Sequence, residues 1–273
     1  FSTSGARALI DDAARQITLA AAPGLGRRDE FRKLLRDQIL TSAYAEGGAW
    51  VLHAGLLRWR GAGLLLLGDS GAGKTTAALH LLSSAQPSEA HRCGYGASER
   101  VLVFRERGHL MALGVPESLT IFPGSLRGLP AFAKRLEGRE RSADWMRASK
   151  LRLSRDEVVA LLGTEQIPAP IPVSHVALLR YQPALEMAAR SPAPSAAFRV
   201  GALHANDLTC ADDVRAAWLG WFTPKPDRAV EAAIAAPELP FALIDWSRPK
   251  ALAETLAEFL ATHAEIPPDE AAP

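Results

Sequence analysis

Large apolar residues dominate two stretches, 50–59 and 64–67, with Arg60, Gly61, Ala62 and Gly63 between them. Short apolar runs bounded by glycine read as strands, so the pattern predicts a strand over 50–59, a turn, and a second strand over 64–67. That second strand leads straight into a glycine-rich loop, and a helix is predicted over about 73–82. Further on, 101–105 and 109–113 predict a hairpin around Arg107-Gly108. The stretch 114–130, punctuated by Pro116, Pro123, Gly124, Gly128 and Pro130, reads as loop. Ser154, followed three residues later by Glu157, predicts a capping box that opens a helix ending at Leu162. Strands are expected over 173–181 and 240–245, and helices over 211–222 and 249–263.

Ahead of these elements, Phe31, Leu34, Leu35, Ile39 and Ala43 recur at helical spacing, Asp29 and Glu30 favour a helix start, and Gly47-Gly48 an end. The chain is therefore read as a helical N-terminal appendage over 1–46, a core domain over 47–266 and a disordered tail over 267–273. No internal repeat is visible.

The loop Gly68-Asp69-Ser70-Gly71-Ala72-Gly73-Lys74-Thr75 satisfies the pattern G-x-x-x-x-G-K-[ST] between a strand and a helix. Its glycines let the backbone curl so that successive N–H groups face one anion, and the helix N-terminus adds the positive end of its dipole. Gly68, Ser70, Gly71, Ala72, Gly73, Lys74, Thr75 and Thr76 are the predicted nucleotide contacts. Lys74 is expected at the β- and γ-phosphates of ATP, and the Thr75 hydroxyl at its Mg²⁺. The Asn-Lys-x-Asp of GTPases and the Leu-Ser-Gly-Gly-Gln of transporter ATPases are absent, and no apolar run ending in a Walker B aspartate follows closely. The loop alone thus leaves the reaction open, and the base carboxylate has to be sought elsewhere.

Composition narrows the class. A chain of 273 residues, 48% hydrophobic and 22% charged, suits one large α/β domain or a core domain with a small appendage. No apolar run near the loop approaches the ~20 residues of a membrane span. No signal-peptide pattern opens the chain. Cys93 and Cys210 fit neither a zinc knuckle nor a disulfide framework, so the expectation is a cytoplasmic protein with free thiols and no membrane partner. Net charge is +1, but 127–155 carries nine basic residues against three acids, while 201–273 carries twelve acids against five bases. The basic stretch holds one aromatic, Trp145, and no recognised nucleic-acid motif, so nucleotide phosphate is the expected anion and nucleic acid is not.

Two features beside the loop carry a resemblance. His53, in the context Leu52-His53-Ala54-Gly55, precedes Gly68 by fifteen residues, and the loop opens Gly-Asp-Ser-Gly. This resembles the catalytic domain of HPr kinase/phosphorylase and its shorter relatives, among them peptide kinases encoded beside ribosomally made natural products such as lasso peptides. The segment Ser98-Glu99-Arg100, opening the strand from Val101, is similar to the relatives' segment in which an Asn-Asp-Arg or Asp-Asp stands. Gly114-Val115-Pro116-Glu117-Ser118, Gly124-Ser125-Leu126 and Lys150 are also similar to those relatives, over a region of about 47–185.

The resemblance implies a phosphoenolpyruvate-carboxykinase-type P-loop kinase, an α/β fold with a central mixed sheet flanked by helices, that phosphorylates serine hydroxyls. It departs at Ser98-Glu99, where the family has paired aspartates, and at Thr76, where an acid often follows the loop. The full-length enzyme's N-terminal domain is not matched, so neither the phosphorylase back-reaction nor HPr as substrate is expected.

On this reading Glu99 is the general base and an indirect Mg²⁺ partner. His53 hydrogen-bonds a phosphate or the carboxylate that positions the nucleophile, and Asp69 hydrogen-bonds the attacking hydroxyl or a water. Arg100, Arg127 and Lys150 are expected phosphate or substrate contacts. The expected partner is a peptide with a Ser or Thr hydroxyl. A small-molecule kinase acting on free serine or a sugar, and a nucleotide switch without phosphotransfer, remain open. His175, His204 and His263 form no metal-ligand pattern, and Trp218, Trp221 and Phe222 read as core or interface. Oligomeric state is not legible.

Overall fold

The computed structural model describes residues 6–11, 16–21, 49–137, 150–182, 196–200 and 239–263. The helices expected over 29–46 and 211–222 and the tail over 267–273 lie outside them. Within 1–46 the described residues form an antiparallel pair, β1 (Ala6–Asp11) and β2 (Gln16–Ala21), which the apolar pattern did not foretell.

The expected strand over 50–59 is two strands, β3 (Trp50–Leu52) and β4 (Gly55–Trp59), broken at His53 and Ala54. The break has a topological cause: β3 pairs with β7 (Val101–Glu106), whereas β4 pairs with β5 (Ala62–Leu67) and β6 (Gly94–Ala97), in a different sheet. Between β5 and β6 lies α1 (Lys74–Ser83). β7 and β8 (His109–Gly114) form the expected hairpin, turning on Arg107 and Gly108, both at positive φ.

The expected loop over 114–130 contains structure. β9 (Leu119–Ile121) pairs with β10 (Leu151–Leu153), and 3-10 turns follow at Pro123–Leu126 and Pro130–Phe132. Here the prolines open the turns instead of dissolving structure, since proline's fixed φ suits a first helical position. A single helical turn, α2 (Ala133–Leu136), precedes β10, and α3 (Arg155–Leu162) follows it with both bonds of the capping box at Ser154 and Glu157 in place. The remaining elements are β11 (Glu165–Gln166), β12 (Ile171–Pro172), β13 (His175–Tyr181), β14 (Ala196–Val200), β15 (Phe241–Trp246) and α4 (Pro249–Thr262).

A mixed seven-stranded sheet in the order β11-β6-β4-β5-β13-β15-β14 forms the centre, as expected for a mixed α/β fold. Its strands alternate between two cores. Leu57, Leu64, Leu66, Ala177, Leu179, Ala242 and Ile244 face one side, with α1, α3 and α4 packed on them. Leu56, Leu65, Leu67, Val176 and Leu178 face the other, against Val101, Val103, Leu110 and Ala112 of the second sheet, β12-β8-β7-β3. Among the described residues, then, the packed helices lie over one face and a second sheet covers the other. This explains the unbroken leucines at 64–67: a strand buried on both faces has no polar side to alternate with. Burial of each such leucine stabilises by roughly 1.5–3 kcal/mol, which anchors the strand that carries the loop.

Among the described residues no helix is long and apolar enough to cross a membrane. Cys93 is a buried free thiol, pushed up in pKa first by burial.

Candidate nucleotide site

Strand directions collect the site at one sheet edge. β5, β13 and β15 are mutually parallel, and β4 runs against both β5 and β6. The chain therefore leaves β5, β6, β13 and β15, and enters β4, at the same edge. The glycine-rich loop, Ser98-Glu99-Arg100, Gln182, Ser247 and the His53-Ala54 break all converge there.

The loop has the conformation its glycines were expected to permit. Gly68, Gly71 and Gly73 have φ of 133°, 85° and 100°. A Cβ on Gly68 would lie 2.5 Å from the Leu179 carbonyl oxygen, and one on Gly73 would lie 2.1 Å from Trp246 Cζ2. At Gly71 nothing lies within 4 Å of that position, so this glycine borders open space. Gly73 caps α1 with no side-chain bond, and the first intrahelical bond shown is Ala77 N–H to Gly73 O at 2.7 Å. The N–H groups of a first helical turn lack intrahelical acceptors, so they stand available to an anion.

Lys74 is buried to 4% exposure, and its Nζ donates to the carbonyls of Gly68 at 2.6 Å and Asp69 at 2.9 Å. Burial lowers its pKa to about 8, against the pull of Glu99 and then Asp69. Asp69 and Ser70 are exposed, Thr75 is half-buried, and Thr76 is buried, which leaves Thr76 its backbone for any nucleotide contact.

His53 and Glu99 meet beside this loop. The β4–β5 register pairs Gly55 with Leu66, so β4 starts beside the end of the strand that feeds the loop, and the Lys74 charge acts on His53 just before it. On the other flank, Leu52 pairs with Val101 and Leu56 with Ala97, so the two passages between sheets, at 53–55 and 98–100, run side by side. His53 Nε2 stands 3.6 Å from Glu99 Oε2. The separation is within ion-pair range, but burial, then Lys74 and then Arg100, lower the His53 pKa to about 4. The ring is therefore neutral at pH 7, and the contact is between a neutral imidazole and a carboxylate. Glu99 is raised in pKa, first by burial and next by Glu117, against Lys74, Lys150 and Arg100. Raising a carboxylate brings it nearer the range in which a general base works well.

Ser98 is not available as a second acidic or nucleophilic group. It is buried and accepts a bond from the Tyr95 hydroxyl at 3.0 Å. Burial pushes the Tyr95 pKa up to about 12.

The three expected anion contacts fare differently. Arg100 Nη1 is bonded to Glu117 Oε1 at 2.6 Å with both side chains nearly buried, so a phosphate would have to compete with that carboxylate. Lys150 sits 4.8 Å above the Phe122 ring, next to Glu99 in the electrostatic sense already given. Arg127 is exposed after the Pro123–Leu126 turn, which packs on α1 near its far end, where His80 Nε2 meets Ser125 O at 3.3 Å. Among the described residues nothing brings Arg127 to the loop.

Two residues escaped the sequence reading. Glu117, quoted there within Gly114-Val115-Pro116-Glu117-Ser118, was given no role, and it holds Arg100. Trp246, at the end of β15, donates its indole N–H to the Ala72 carbonyl at 2.8 Å and lies under Gly73. An apolar residue ending a strand carries no local mark of such a contact. Gly73→Ala is expected to fail here for two reasons, the clash with Trp246 and the positive φ. A loss of about 1–3 kcal/mol of stability, read from denaturant melts, should accompany a loss of nucleotide affinity.

A metal fits these residues only in a limited way. Among the described residues no group of three or more His, Cys, Asp and Glu could cage an ion. Mg²⁺ with a nucleotide needs few protein ligands, because phosphates and water complete its octahedron. Thr75, half-buried in the first turn of α1, and the partly exposed Glu99 carboxylate are the oxygen donors the sequence pointed to for such an ion.

No protein-family model matches the sequence, and no curated protein is significantly similar to it. Among solved structures, the chain is similar to the HPr(Ser) kinase/phosphatase from Coxiella burnetii. The match covers 78% of this chain and 97% of that one, at 11% identity and a TM-score of 0.37. So low a TM-score supports no role for any residue.

Proposed function

We propose that the chain is an ATP-dependent kinase that transfers the γ-phosphate to a Ser or Thr hydroxyl of a peptide. The observation that carries this reading is the juxtaposition of the glycine-rich loop with a partly exposed carboxylate whose pKa is raised, first by burial and next by Glu117. Glu99, faced by neutral His53, stands beside the loop whose Lys74 is electrostatically coupled to both. A nucleotide site needs the loop alone, whereas phosphoryl transfer to a hydroxyl also needs a group to orient the acceptor and take its proton.

In the proposed reaction the acceptor oxygen bonds to the γ-phosphorus as the bond to the β,γ-bridging oxygen breaks. The hydroxyl proton passes to Glu99, and ADP leaves. Lys74 moves from the Gly68 and Asp69 carbonyls to the phosphates, where its charge matches what develops on the bridging oxygen. The loop N–H groups other than that of Ala72, which donates to the Asp69 carbonyl, hold the β-phosphate. His53, uncharged at pH 7, stands 3.6 Å from the Glu99 carboxylate without compensating its charge. Mg²⁺, held by Thr75 with Glu99 nearby, would neutralise phosphate charge when bound. The peptide as acceptor rests on the resemblance of 53–76 to the short peptide kinases.

The test uses γ-labelled ATP with Mg²⁺ and peptides encoded beside the gene, with free serine and simple sugars as competing acceptors. Label is expected on a peptide Ser or Thr. Label on a small molecule alone would replace the acceptor class. Nucleotide binding with no labelled acceptor and no ADP formed would replace the kinase by a switch.

A further inference from the structure

The two sides of the phosphate loop differ in chemistry. On the β4–β6 side stand His53 and Glu99, where the proposed reaction puts the acceptor. On the β13–β15 side stand two aromatic residues, Tyr181 and Trp246, which end their strands in register with one another. Their rings lie 4.9 Å apart, tilted by 52°. Trp246 is buried and clamped to the loop through Ala72 and Gly73. Tyr181 remains 44% exposed.

Among the described residues the other exposed large hydrophobic is Phe122, and Lys150 lies over its ring. Tyr181 keeps open aromatic surface at the site edge. Its neighbour Arg180 turns to the opposite face, where it makes a two-point ion pair with Asp245 at 2.9 and 3.1 Å. Leu179, one residue earlier, presses its carbonyl on Gly68.

In-line displacement puts the leaving group opposite the attacking oxygen. With the acceptor beside Glu99, the β-phosphate and the nucleoside beyond it extend away from β4 and β6. That direction leads over the loop toward β13 and β15. From this geometry we infer that Tyr181, braced on Trp246, is the stacking platform for the nucleobase of the bound nucleotide. The inference rests on the kinase reading for the direction of the leaving group. An aromatic face stacks on any base, so the subsite confers affinity for a nucleotide over bare polyphosphate more than choice between bases.

Calorimetric titration of MgATP and of magnesium tripolyphosphate into wild type, Tyr181→Phe, Tyr181→Leu and Tyr181→Ala separates the possibilities. Tyr181→Leu keeps apolar packing on Trp246 without an aromatic face. Tyr181→Leu and Tyr181→Ala are expected to weaken MgATP about tenfold or more while leaving tripolyphosphate within about twofold, and Tyr181→Phe to restore MgATP binding. Equal losses for both ligands would overturn the assignment, because Tyr181 would then act on the loop through Trp246. Unchanged MgATP binding in all three variants would overturn it too, as would equal wild-type affinity for both ligands. A wild type that binds neither ligand would instead sink the P-loop reading itself.

Discussion

Lys74→Ala is expected to slow phosphate transfer by at least about 10²–10³-fold and to weaken ATP binding, because on the proposed reading it removes the loop's one cation. The expectation follows from where Lys74 sits. Its amine is almost wholly buried inside the loop and held there by the Gly68 and Asp69 carbonyls, bonds it exchanges for the phosphates on binding. The same burial makes the effect visible in wild type through pH. With the pKa lowered to about 8, the free protein begins to lose this charge just above neutral pH. A polyanion binds the protonated form better, so its pKa in the complex lies above that in the free protein. ATP affinity should therefore be level below pH 8 and fall by up to about tenfold per pH unit above it. Titration calorimetry between pH 7 and 9.5 reads this directly, and Lys74→Ala should abolish the slope. A wild type with constant affinity to pH 9.5 would remove Lys74 from the phosphate site.

Glu99→Gln should leave ATP binding nearly intact and reduce transfer by about 10²–10⁴-fold, the usual contribution of general base catalysis. Glutamine keeps the length of the side chain and its approach to His53 while losing the capacity to take a proton. The pH dependence supplies an independent signature. Burial and the neighbouring Glu117 carboxylate raise the Glu99 pKa, and a base must be deprotonated to act. The rate should thus fall toward acid pH with a midpoint above that of an ordinary carboxylate, and what activity remains in Glu99→Gln should lack that limb. His53 cannot produce the limb, since its own pKa is near 4. Single-turnover measurements with labelled ATP distinguish loss of chemistry from loss of binding. Transfer by Glu99→Gln at the wild-type rate would send the search for the base to Asp69, the remaining acid exposed in the loop.

Much of the scaffold was legible in the chain. The capping box at Ser154, the Arg107-Gly108 hairpin and the strand–loop–helix at 62–83 depend on residues a few positions apart, and each formed as read. The failures have one cause. The break at His53 and the pairing of β9 with β10 are set by which strand lies alongside, and apolar runs do not name their partners. Proline and glycine between 114 and 130 looked like loop, yet Leu119 and Ile121 alternate inward and found a strand thirty residues later.

The site divides along the same line. Sequence by itself determined the shape of the glycine-rich loop, because glycine conformations and helix N-termini are local physics. It also brought His53 toward the loop: the hairpin register pairs Gly55 with Leu66, and the Lys74 charge reaches His53 just before that strand. Tertiary structure alone decided the rest. Glu99 faces His53 because two passages between sheets lie side by side. Arg100 is engaged by Glu117 across a gap of 17 residues. The brace under the loop comes from Trp246, 174 residues beyond Ala72. These contacts follow from sheet order, and sheet order is settled by which buried faces pack together, a property of the whole chain that no local stretch encodes.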